Sequence, residues 1–154
     1  MFDRRKIESL NIKRKTFMYA LVSRRFATSS TANEVRAFLR KTIRVLDKDL
    51  AIIATESPSL FSHSVHETYL PAYNFFRNTA KIRDRGMTIT FKNCPSVFLA
   101  NVEYQLEPRF LFLKSCSDAA GKPNFPWHIH IQNSPEILLE PQDDLEKRLR
   151  SNFF

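Results

Sequence analysis

The sequence predicts an all-α chain of helical repeats, and three observations carry that prediction. First, P-S-V-F-L-A-N-V-E-Y-Q-L-E-P-R-F-L-F-L-K, from Pro95 to Lys114, repeats the grammar of P-S-L-F-S-H-S-V-H-E-T-Y-L-P-A-Y-N-F-F-R, from Pro58 to Arg77, 37 positions earlier. Pro95 falls on Pro58, Phe98 on Phe61, Pro108 on Pro71, Phe112 on Phe75 and Lys114 on Arg77. Self-similarity at a fixed period of this size marks a helical solenoid. Second, Val35, Phe38, Leu39, Ile43 and Leu46 recur at helical intervals and make one apolar face. Third, the 154 residues include only two glycines, Gly86 and Gly121. That leaves little material for tight hairpins or phosphate-cradling loops.

Taken in order, the chain opens on a basic arm. Residues 1–26 hold eight of the 24 Lys and Arg and two of the 16 Asp and Glu, so the net +8 of the whole falls to +2 for residues 27–154. From Met18 the arm reads M-Y-A-L-V-S-R-R-F-A-T-S-S, with apolar residues, paired arginines and hydroxyls and no acid until Glu34. This is the composition of a mitochondrial transit peptide, with cleavage expected after Phe26. The other reading is a basic arm that touches RNA or anionic lipid. No apolar run is long enough to span a bilayer, so no membrane association is expected after import. Cys94 and Cys116 form no C-x-x-C pair, which points to free thiols in a reducing compartment.

Residues 27–154 read as one repeat domain. Thr31 and Glu34 have capping-box spacing, and the spacing predicts a helix from about Ala32 to Leu46. Shifting by 37 puts Phe38, Leu39 and Arg40 under Phe75, Phe76 and Arg77, so this helix is the closing helix of a partial first copy. Asp47-Lys-Asp49 breaks the apolar pattern, and a short helix then ends near Ser57. Pro58 forces a bend, followed by a tight turn through Leu60 and Phe61.

Leu50, Ile52, Ala54, Pro58, Leu60 and Phe61 are matched by Met87, Ile89, Phe91, Pro95, Val97 and Phe98. A spacing of 40 then brings Trp127, Ile129, Ile131, Pro135, Ile137 and Leu138 onto the same slots. The extra residues fall in Ser115 to Pro126, where Gly121, Pro123 and Pro126 mark a loop. Met87 to Phe91 and Trp127 to Ile131 also alternate like strands. The repeat register, and the helical spacing of Met87, Phe91, Cys94 and Phe98, favour helices.

The segments P-S-L-F with L-P-A-Y-N-F-F, and P-S-V-F with L-E-P-R-F-L-F-L, resemble the mitochondrial transcription termination factor (mTERF) family. Its repeats carry a Pro-x-apolar-apolar turn and then a proline-containing segment opening a helix. P-E-I-L-L from Pro135 begins a further copy, with Arg148 where the second proline would stand, and the resemblance covers about Leu50 to Leu149. It implies an mTERF-like superhelix of two whole and two partial repeats, truncated at its C-terminus relative to that family. It also implies a location in the mitochondrial matrix and mitochondrial DNA or RNA as partner. The role implied is in transcription (its initiation or termination) or ribosome assembly, with no catalytic residues and no cofactor.

Arg40, Arg77 and Lys114 hold one repeat position each and would form a basic stripe along a solenoid, suited to a phosphate backbone. Lys81, Arg83 and Arg85 crowd the turn before Met87, and Arg109 adds a further charge. A solvated helix face needs such residues as well. His63 and His66 would share a helical face as metal ligands do, but no third ligand is placed by sequence, and ordinary surface histidines are the simpler reading. Tyr69, Tyr73 and Tyr104 could stack on bases, although the slot shared by Tyr69 and Leu106 points to half-buried packing residues. The competing class is a helical adaptor that holds a protein partner of mitochondrial gene expression in an apolar groove.

Overall fold

Ser29 caps the first of the described helices: its hydroxyl accepts from the Ala32 amide at 3.5 Å and satisfies a donor that the first turn would leave orphaned. The computed structural model describes residues 29–152. The arm 1–26, with its proposed cleavage site, lies outside the described residues. Those described form seven helices and no strand, and the chain divides into two units, 1–63 and 64–154.

In the first unit, α1 spans Ser30–Lys41 and α2 spans Asp47–Glu56, followed by a 3-10 turn over Pro58–Ser62. The expected helix from Ala32 to Leu46 with a Thr31 cap is corrected at both ends. Ser29 is the cap, and Thr42 and Ile43 both donate to the Phe38 carbonyl, a widened last turn that stops the helix at Lys41. Ile43 and Val45 are buried, whereas Leu46 is 59% exposed and lies off the apolar face. The Pro58 turn packs on both α1 and α2.

The second unit holds five helices. The first, α3, runs over 65–79, with π-type turns at Val65–Tyr69 and Phe75–Thr79 flanking Leu70–Asn74. Then follow α4 at Asp84–Asn93 and a 3-10 turn at Pro95–Leu99. Helix α5 covers 102–119, its first turn, Val102–Leu106, again π-type. Last come α6 at Trp127–Asn133, a 3-10 turn at Pro135–Leu138, and α7 at Gln142–Asn152.

The stretches that alternate like strands, Met87 to Phe91 and Trp127 to Ile131, are helical, as the repeat register requires. The loop expected from Ser115 begins later, since α5 continues to Ala119. Pro71 and Pro108 do not open their helices but sit one turn inside them. Each follows a wide turn in which the preceding amide reaches back five residues, Leu70 to Val65 and Glu107 to Val102. A π-turn there absorbs the missing proline donor and gives its ring room beside the preceding carbonyls. Both helices also start on matching caps: Ser64 accepts from the Glu67 amide and Asn101 from the Tyr104 amide, 37 residues apart.

One three-part element, helix, bent residue and proline-led 3-10 turn, recurs three times along the chain. The bent residues Ser57, Cys94 and Ser134 have φ, ψ of −139°, 66°; −149°, 83°; and −140°, 66°. The slots filled by Leu50, Met87 and Trp127 are buried, as are those of Phe61, Phe98 and Leu138. The slot between them faces outward in the first and third copies, with Ile52 41% and Ile129 48% exposed.

In the second unit Phe98 is the hub. Its ring lies 5.0 Å from Phe76 and 5.3 Å from Phe91, all three fully buried, and Phe110 of α5 meets Phe75 edge-on at 5.9 Å. Edge-to-face and tilted pairs at these separations add to the burial of aromatic area. Tyr69 is fully buried, deeper than expected, and its hydroxyl pKa is pushed up by that burial. Tyr104, expected to pack, is 83% exposed. Trp127 donates through Nε1 to the buried Ser117 hydroxyl at 3.1 Å.

Candidate nucleic-acid interface

The end of α3, the turn 80–83 and the first turn of α4 meet α6 around an open cleft of about 980 Å³ in the second unit. The reason lies in Gly86. It faces Gln132 of α6 so closely that a β-carbon would overlap the Gln132 amide oxygen and lie 2.9 Å from Ile82 Cγ2, so a larger residue there would have to displace both side chains. Asn93, at the other end of α4, donates through Nδ2 to the carbonyls of Gln132 and Asn133, the last residues of α6, at 3.1 and 3.3 Å.

Arg77, Lys81, Arg83 and His128 line this cleft, with Asp84 as its one acid and Ile129 as an apolar wall. Arg77 is engaged: Nη1 donates to the Tyr73 hydroxyl at 2.9 Å and to Asp84 Oδ1 at 2.8 Å. These contacts, the tyrosine first and the aspartate second, push the guanidinium pKa above its ordinary value, so the group is charged at any working pH. Lys81 and Arg83 therefore supply the net positive field of the cleft. Their side chains are exposed, as phosphate contacts must be.

Three of the seven residues singled out in the sequence, Arg77, Lys81 and Arg83, are thus brought together. Arg85, on the first turn of α4, Arg109, half-buried on α5, and Lys114, exposed on α5, do not line the cleft. Arg40 belongs to the first unit and pairs with Asp47 at 3.2 Å. That pair and Arg77–Asp84 are the same contact, since both partners are displaced by 37 residues. Position 124, in the third slot, is Asn, and Lys114 makes no ion pair among the described residues. The stripe of equivalent basic residues is therefore not a row of equivalent charges. Reading acids as well as bases in the repeat register would have shown it. His128 and Gln132 had no such signal, because only tertiary packing carries them to the cleft.

His63 is extended, with φ −91° and ψ 146°, just past the Pro58 turn, while His66 is helical, so the expected common helical face for these two is not formed. No group of three or more His, Cys, Asp or Glu able to hold a metal occurs among the described residues. Cys94 caps α4 and lies 3.3 Å from the Ser96 hydroxyl, and burial, then Glu146, pushes the Cys116 thiol pKa up. No protein-family model, curated protein or solved structure matches the chain.

Proposed function

We propose that this chain binds the phosphate backbone of nucleic acid through the cleft between α3, α4 and α6, without chemistry of its own. The observation that carries the reading is the meeting of Arg77, Lys81, Arg83 and His128 around one opening, with a single carboxylate already held by Arg77. Local charge matters more here than the total. Residues 64–154 hold eleven basic and ten acidic residues, so attraction for a polyanion must come from such a concentration.

The resemblance of P-S-V-F and L-E-P-R-F-L-F-L to mTERF repeats supplies the setting. In that setting the chain is an mTERF-like superhelix of two whole and two partial repeats, imported into the mitochondrial matrix by its basic arm. Its targets are mitochondrial DNA or RNA, in transcription or ribosome assembly. The recurring helix, bend and 3-10 turn supports this reading.

The test is binding of the full chain to a DNA duplex and to an RNA duplex over a chloride series, compared with Lys81→Gln/Arg83→Gln. The arm is common to both proteins, so the difference reports the cleft. Affinity should fall at low salt and the salt slope should become shallower by about 0.9 per lost phosphate contact on DNA. Equal binding by both proteins would move the function elsewhere, with a protein partner the next reading to pursue. Import into isolated mitochondria, with a mature N-terminus after Phe26, tests the setting.

A further inference from the structure

The turns that close α1 and α3 share an uncommon backbone. Arg44 has φ 63° and Lys81 φ 59°, and no other non-glycine residue described has positive φ. The left-handed region crowds a β-carbon against the following carbonyl, and helix ends that need it use glycine, or sometimes asparagine. The two positions are 37 residues apart, and Gly121, 40 residues beyond Lys81, holds the third such turn with φ 73°.

The surroundings show what imposes the conformation. Arg44 stands between the buried Ile43 and Val45, and Lys81 between the buried Ala80 and Ile82. The amides of Val45 and Ile82 each reach back six residues, to the carbonyls of Leu39 and Phe76, at 3.0 and 2.9 Å. With both neighbours buried and this bond closed, the central side chain is turned outward whatever it is. Glycine would satisfy the backbone without strain, as Gly121 does. Two long cationic side chains occupy the other two positions instead. The Arg40–Asp47 and Arg77–Asp84 pairs bracket the same two turns in sequence.

We propose that Arg44 and Lys81 are phosphodiester contacts, each presented by its own unit at the apex of a strained turn. The paired Arg40 and Arg77 are the struts of those turns. The proposal rests on the nucleic-acid reading above and deepens it by adding Arg44, which the repeat stripe passes over, and by giving the backbone strain at both positions a purpose.

The test sets stability against binding. Full-length chains carrying Arg44→Gly, Lys81→Gly or both are melted, and are titrated with a random-sequence DNA duplex and an RNA duplex of the same sequence across a chloride series. Relief of strain should leave the melting temperature unchanged or raise it by a few degrees, about 2–5 °C. Affinity for the duplex should fall several-fold per substitution at low salt, and the DNA salt slope should become shallower by about 0.9 each.

A lower melting temperature in the glycine variants overturns the strain argument. Arg44→Asn and Lys81→Asn, which tolerate the left-handed region without charge, then still read the contacts. If the glycine variants bind as the unaltered chain does while Arg83→Gln binds less, the turn assignment is wrong and the cleft reading stands. If the unaltered chain binds neither duplex at low salt, both fall.

Discussion

Gly86→Ala is the substitution whose outcome separates local helix preference from tertiary packing in this protein. On α4 alone it should help, since alanine is better than glycine inside a helix by up to about 1 kcal/mol. In the folded chain the new methyl group would overlap Gln132 Oε1 and lie 2.9 Å from Ile82 Cγ2. The amide end of Gln132 can swing away. Ile82 is β-branched and 2% exposed, so it has little room to move. Overpacking of this kind costs about 1–3 kcal/mol. Set against the helical gain, the expected result is a net loss of roughly 1 kcal/mol.

Urea unfolding followed by far-UV circular dichroism, with the single Trp127 as a second probe, measures it. The midpoint should fall at unchanged m-value. Repeating Gly86→Ala in an Ile82→Ala background removes the contact that has no room to give and should recover about 0.5–1 kcal/mol of the loss, whereas a Gln132→Ala background should recover little. A stabilising Gly86→Ala, or the same loss with and without Ile82→Ala, would refute the claim that packing against Ile82 selects glycine here.

Two further outcomes follow from single residues. Ser64→Ala and Asn101→Ala each remove the side-chain acceptor at the start of a proline-containing helix, and each should cost about 1 kcal/mol in urea unfolding, while Asn101→Ser should cost far less. Burial lowers the His130 pKa from its ordinary 6.5, so the unfolded chain protonates first as pH falls. The stability held by neutral His130 is therefore complete above about pH 6.5 and declines through the window below it. His130→Phe, which can keep the stacking on Phe125 now seen at 4.7 Å, should flatten that part of the stability–pH curve.

The helices and the three proline turns were legible because their signals are local and periodic. Leu50, Leu60 and Phe61, and their counterparts 37 and 77 positions on, are apolar in sequence and buried in the structure. The end of α1 was not legible in the same way. Ile43 and Leu46 continue its apolar spacing, but a left-handed residue at Arg44, for which no glycine gives warning, redirects the chain between them. The site was half legible. Lys81 and Arg83 are neighbours in sequence, whereas His128, Ile129 and Gln132 arrive through the close approach of α6 to Gly86. Tyr104 shows the opposite failure: it reads as a packing residue alongside Tyr69, yet its ring is in solvent, two positions before the buried Leu106.

Pro71 and Pro108 have a bearing on how the chain reaches its fold. A fifteen-residue segment such as 65–79 is already marginal as a free helix. An internal proline removes a donor from it, and the wide turn that accommodates the ring lacks the regular ladder that would propagate helix on either side. Neither α3 nor α5 therefore has the means to persist before it meets its partners. In α3 it is the burial of Tyr69, Phe75 and Phe76, the last against Phe98, that compensates for the interrupted ladder. Helix and side-chain packing must arise together in this unit, so its folding transition state is expected to be a condensed nucleus around Phe98, not a set of preformed rods that later collide.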